Sequence, residues 1–94
     1  MALSETQQKI IDTFESLRHL LLEKNKRYGD AAVNPRQIFS KLSGEEAIKI
    51  RLDDKLSRII NSKELRKNDV ADLIGYLTLY SITQGWTDFT DQLD

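Results

Sequence analysis

The sequence has 94 residues, enough for one domain with one modest core and too few for two. Its 14 basic and 15 acidic side chains leave a net charge of -1, so no overall field draws a polyanion, and duplex DNA binding has no support from bulk charge. Without cysteine there is no disulfide, thiolate metal site or cysteine nucleophile, and one histidine, His19, is too few for a multi-histidine zinc centre.

Ser4 is placed to cap a first helix, with Gln7 three residues on in the capping-box position. Ile10, Ile11, Phe14, Leu17, Leu20 and Leu21 then recur at helical spacing, which predicts a helix from about Glu5 to Lys26. Gly29 stops it, and a loop follows through Asp30, Asn34 and Pro35. The segment from Arg36 to Leu42 is read as a helical turn carrying Ile38 and Phe39. Ser43 opens a second helix, with Glu46 at the capping-box position and Glu45 in the first turn, where acids suit the positive end of the dipole. Its apolar stripe is Ile48, Leu52, Leu56, Ile59 and Ile60, and Asn61-Ser62 ends it. Asn68 is the expected cap of a third helix with the stripe Val70, Leu73, Ile74, Leu77 and Tyr80 or Ser81. Gly85 is its expected left-handed stop. Trp86, Phe89 and Leu93, spaced by three and four, predict one or two helical turns in the tail. Nothing alternates as a strand does, and there is no internal repeat. The expectation is therefore an all-α fold: one domain over 1–94, a small bundle of three main helices plus a short C-terminal helical tail.

Apolar positions overflow these stripes at Leu22, Ile50, Leu79 and Ile82. A helix that is apolar on more than one face is usually covered on both. In a chain this short the simplest cover is a second copy, so a homodimer is expected. Met1 to Glu5 lacks the basic and apolar blocks of a signal peptide, and no apolar run approaches the roughly 20 residues that span a bilayer. A cytoplasmic protein with no membrane association is the expectation.

Three charged clusters carry the functional question. Arg51, Asp54, Lys55 and Arg58, spaced by three, one and three, fall within about a 100° arc that flanks the stripe of Leu52 and Ile59. Such a pattern also decorates ordinary solvated helices through i,i+4 pairs. Asp69, Asp72 and Tyr76 line one face of the third helix. Two carboxylates one turn apart can share magnesium, although an acid beside a helix start is favoured without any ligand. Glu23-Lys24-Asn25-Lys26-Arg27-Tyr28-Gly29-Asp30 reads equally as a helix end with favourable cations or as a phosphate-contacting turn. His19 reads as structural, and the scattered glycines form no phosphate loop.

Taken in order, Lys24-Asn25-x-x-Tyr28-Gly29-Asp30, Arg51-x-x-Asp54-Lys55-x-x-Arg58 and Asp69-x-x-Asp72-Leu73-Ile74-Gly75-Tyr76 resemble the nucleotide modification associated domain 1 family. That family is common in phages and bacteria. More distantly, the helical plan is similar to MazG-type all-α nucleoside triphosphate pyrophosphatases, which hold magnesium through two acidic pairs. Asp69-x-x-Asp72 is similar to the second pair. The first pair is absent in its glutamate form: the first helix offers Glu15 and Glu23, eight residues apart.

The resemblance implies a nucleotide-metabolism protein that binds, and in its enzymatic form hydrolyses, (deoxy)nucleoside triphosphates with Mg2+. Asp69, Asp72 and Asp54 are then the metal-ligand candidates, and Asp72, Asp69 and Lys55 the catalytic ones. Arg51, Arg58, Lys24 and Asn25 would bind phosphates, and Tyr28 and Tyr76 would meet the base or sugar. A metal-bound or carboxylate-activated water would attack the α-phosphorus and release pyrophosphate. The competing expectation is a non-catalytic helical module that binds a partner protein through its apolar overflow and the Trp86/Phe89 tail.

Overall fold

A computed structural model describes residues 2–34 and 42–93. The expected turn between Arg36 and Leu42 lies outside them, apart from Leu42 itself. The described residues form three α-helices and no strand: α1 (Glu5–Tyr28), α2 (Gly44–Asn61) and α3 (Lys67–Thr83), followed by a single 3-10 turn at Thr90–Gln92. The all-α expectation holds, and none of the helices is long and apolar enough to cross a membrane.

Most boundaries follow from the capping chemistry. The Ser4 hydroxyl accepts from Gln7 N–H at 3.1 Å while the Gln7 side chain accepts from Ser4 N–H at 2.9 Å, closing the capping box. α1 ends at Gly29, whose φ of 67° a side chain would disfavour. Ser43 caps α2 by accepting from Glu46 N–H at 3.2 Å; no reciprocal bond from the Glu46 side chain forms among the described residues. α3 finishes in a Schellman arrangement. Gly85, at φ 77°, donates its N–H to the Ile82 carbonyl and Trp86 donates to Ser81, each at 2.9 Å.

The start of α3 corrects an expectation. The helix begins at Lys67 with Arg66 as its cap residue and no side-chain capping bond, so Asn68 lies inside the first turn. The connection is already turned at Ser62, whose hydroxyl accepts from Glu64 N–H at 3.2 Å and donates to the Glu64 carbonyl. The Asn68 amide faces Asp72 one turn on.

α2 and α3 form the principal helix pair. Lys49 meets Tyr80, Arg51 meets Tyr76 and Lys55 meets Asp72. Positions that rise along one helix while falling along the other define an antiparallel hairpin. α1 also runs antiparallel to α3, with Lys24 at Asp72 and Leu21 at Gly75. A β-carbon on Gly75 would stand 3.0 Å from Leu21 Cδ2, so the missing side chain lets α1 approach here. Gly44 is buried against the Val33 carbonyl, so the segment leaving α1 lies on the first residue of α2.

The core is thin. Ile48 is the one fully buried apolar side chain among the described residues, and no residue of α1 is buried. Leu52, Ile59, Val70, Leu73 and Ile74 are half-buried, whereas Leu56, Ile60 and Leu77 from the expected stripes are exposed. Of the overflow positions, Leu22, Ile50 and Ile82 are exposed and Leu79 is half-buried. The apolar faces are wider than the contacts one chain makes with itself.

Candidate functional site

The three helices converge on one carboxylate. Asp72, on α3, accepts from Lys24 Nζ of α1 at 3.0 Å through Oδ1 and from Lys55 Nζ of α2 at 2.8 Å through Oδ2. The Asn68 amide stands 3.5 Å from Oδ2, at the outer limit for a hydrogen bond. Side-chain exposure is 14% for Lys55, 17% for Asp72 and 41% for Lys24, so the inner pair is sheltered and the outer cation is wet.

Asp72 needs both cations. Partial burial pushes its pKa upward, but the hydrogen bonds and charges of Lys55 and Lys24 outweigh this and hold the carboxyl below its usual range. Each ammonium has three N–H donors, and Asp72 takes one from each. The cluster of two cations and one anion therefore keeps a net positive charge and unspent donors, with Lys24 on the solvent side. One turn along the hairpin, the Arg51 guanidinium carbon lies 6.0 Å from the centroid of the half-buried Tyr76 ring, within cation–π range. Lys24, Lys55, Arg51, Asp72 and Tyr76 are thus the expected site residues that the fold brings to one place.

The others go elsewhere. Asn25 donates its amide to the Gly29 carbonyl at 3.2 Å, so it satisfies the end of α1 instead of turning toward the lysines. Tyr28 is exposed and borders a small hollow of about 200 Å³ with Leu20, Glu23, Lys24 and Arg27. Asp54 and Arg58 are exposed on α2 and form no ion pair among the described residues, with each other or with the cluster. Asp69 is buried in the first turn of α3 but makes no ion pair among the described residues. His19 is exposed.

These placements bear on magnesium. Among the described residues no three His, Asp or Glu side chains gather into a cation site. Asp72 presents both oxygens to ammonium groups, so a divalent ion there would have to displace a lysine and sit beside the other. Asp54 does not join Asp69 and Asp72. The donor set as arranged fits an anion better than a hard cation, which wants several free oxygens.

One functional position, Gly75, carried little sequence signal. Gly75 lies inside a helix, where glycine costs about 1 kcal/mol relative to alanine and therefore hints at a packing reason. It is the crossing point that brings Lys24 to Asp72. Nothing in the spacing of charges announced that crossing.

Apart from this cluster, an apolar groove of about 720 Å³ lies between α1 and α3, with Trp86 and Phe89 also lining it. Comparison of the chain with protein-family models, with curated proteins and with solved structures finds no match. The resemblance to the nucleotide modification associated domain 1 family accordingly rests on the order of the three motifs alone.

Proposed function

We propose that the chain is a nucleotide-binding helical protein that holds the phosphates of a (deoxy)nucleoside triphosphate over Lys24, Lys55 and Arg51. The observation that supports this most is the convergence of Lys24 and Lys55, from different helices, on the two oxygens of Asp72. An aspartate so placed fixes both ammonium groups and leaves their remaining donors for an anion. Arg51 adds a planar, permanently charged fork suited to phosphate oxygens. Tyr76, beneath Arg51, offers a ring and a hydroxyl to sugar or base.

Binding is the reading the geometry supports; hydrolysis is the further step implied by the resemblance to pyrophosphatases. The discriminating experiment is a panel of ribo- and deoxyribonucleoside triphosphates, with and without magnesium, read by calorimetry and by release of pyrophosphate. Saturable binding that weakens in Lys24→Met supports the proposal. Absence of binding by every nucleotide and by pyrophosphate itself would overturn it. Magnesium-independent binding without turnover would assign a binding protein; magnesium-dependent turnover lost in Asp72→Asn would assign an enzyme.

The open apolar groove favours a second reading, the non-catalytic helical interaction module. It predicts no response to nucleotides.

A further inference from the structure

We propose that α1 is the dimerisation helix of this protein, pairing antiparallel with α1 of a second copy about a two-fold axis and closing the groove against α3. The chain exposes more surface than a monomer of its size needs to. The chain exposes 8200 Å², whereas a compact monomer of its 10.9 kDa exposes about 5,600 Å². The surplus, roughly 2,600 Å², is well above the 800 Å² or so per partner that a stable interface buries. The radius of gyration agrees: 15.6 Å, against about 12 Å for a compact domain of this length.

Much of the apolar part of this surplus lies on α1. α1 is 24 residues long, about 36 Å, and meets α3 mainly near its C-terminal end, at Leu21 and Lys24. Toward its start, Ile10 is 52% and Phe14 66% exposed. Ile10, Phe14, Leu17 and Leu21 follow one another by four, three and four residues, the spacing of a coiled-coil seam. A seam of that period is matched by another helix of the same period. Trp86, on the far side of the groove, is 56% exposed and extends the same apolar surface.

The charge pattern of α1 favours a second copy of itself, and in one direction. Between Glu5 and Glu15, α1 carries Glu5, Asp12 and Glu15 against Lys9; between Arg18 and Tyr28, with Lys24 turned to Asp72, it carries Arg18, Lys26 and Arg27 against Glu23. One half is acidic and the other basic. Antiparallel pairing sets each acidic half against the partner's basic half and opposes the helix dipoles favourably. Parallel pairing would set like against like. A two-fold axis near Leu17 makes the surface self-complementary, as a closed dimer requires.

The absence of cysteine makes the arrangement directly testable. Sedimentation of the full chain at tens of micromolar should give twice the monomer mass, with Trp86 emission shifting to the blue as concentration rises through the dissociation range. A monomer throughout that range overturns the proposal. In the orientation test, Leu17→Cys and Ile10→Cys are oxidised separately. Leu17→Cys lies near the axis and should form a disulfide-linked dimer. Two copies of Ile10→Cys would be about 21 Å apart along antiparallel helices, beyond disulfide reach, and should not. Cross-linking of both variants would mean parallel helices, and cross-linking of neither, or of Ile10→Cys alone, would remove α1 from the interface.

Discussion

Lys55 Nζ and Asp72 Oδ2 meet at 2.8 Å across the α2–α3 hairpin, with little of either side chain exposed. This pair is the inner half of the charged cluster, and Lys24 reaches the same carboxylate from α1 on the outer side. The two lysines therefore have different duties: Lys55 is tied to the fold, and Lys24 is free to respond to what arrives from solvent.

That division gives the first prediction. Lys55→Met removes one partner of a sheltered charged hydrogen bond, which costs about 1.5–3 kcal/mol. Lys24→Met removes the outer, more exposed partner and should cost less, about 1 kcal/mol or below. Nucleotide affinity should fall about tenfold or more in both, by loss of a charge-assisted contact to phosphate. Denaturant midpoints measured at one fixed protein concentration, beside calorimetric titrations, separate the two effects. Equal stability losses would show that the cluster does not divide this way.

Asp72→Asn should destabilise by about 1–3 kcal/mol, because it leaves two ammonium groups facing a neutral amide. In a double-mutant cycle with Lys55→Met, the losses should fall short of additivity by about 0.5–3 kcal/mol. Simple addition would mean that the pair seen here contributes nothing of its own.

Acid should reach the same contact. The Asp72 carboxyl is held below its usual pKa in the folded chain, so the folded state releases this proton more readily than the unfolded state. Its stabilising contribution is complete above the ordinary carboxylate pKa and is lost as pH falls from there through the lower folded value. Asp88, whose pKa is lowered by the Thr90 hydroxyl and backbone N–H, contributes in the same direction. The comparison that isolates Asp72 is therefore wild type against Asp72→Asn. Their stability difference should be constant near neutrality and shrink on acidification below about pH 4. A difference unchanged down to pH 2 would contradict the assignment.

Much of the helical plan was legible because it rests on local chemistry. Ser4, Gln7 and Ser43 cap through bonds spanning three residues, and Gly29 and Gly85 adopt the positive φ expected of helix stops. Asn68 misled because a good capping residue lies one turn before Asp72 and spends its amide in that direction. Periodicity identified apolar faces but not what covers them, so Leu56, Ile60 and Leu77 are on the expected stripes and yet exposed. In the site, Lys55 and Asp72 were readable as charged residues beside two apolar stripes, but not as partners of each other, because spacing along one helix does not say which face of another it meets. The arrival of Lys24 depended on how closely α1 crosses α3, a tertiary fact set at Gly75. Asn25 shows the opposite error, since its position beside Lys24 hid an ordinary local bond to Gly29.

The two buried glycines should respond unequally to alanine. At Gly44 the new methyl would strike the Val33 carbonyl, and backbone has no rotamer to retreat to. A methyl forced into a filled site costs about 1–3 kcal/mol, and here the gain in helix propensity is small because Gly44 is the first helical residue. At Gly75 the methyl would meet Leu21 Cδ2 at 3.0 Å, the tip of a flexible side chain bordering the open groove. Leu21 can swing aside, and alanine inside α3 recovers about 1 kcal/mol of propensity. Gly75→Ala should therefore be close to neutral in stability, while Gly75→Leu, too large for Leu21 to accommodate, should push α1 from α3. If so, Gly75→Leu would lose nucleotide affinity to about the extent that Lys24→Met does, because Lys24 no longer reaches the cluster. Thermal unfolding of the three variants, with titration of the two that replace Gly75, tests the set. A Gly75→Leu protein that folds and binds as wild type would show that the α1–α3 crossing does not position Lys24.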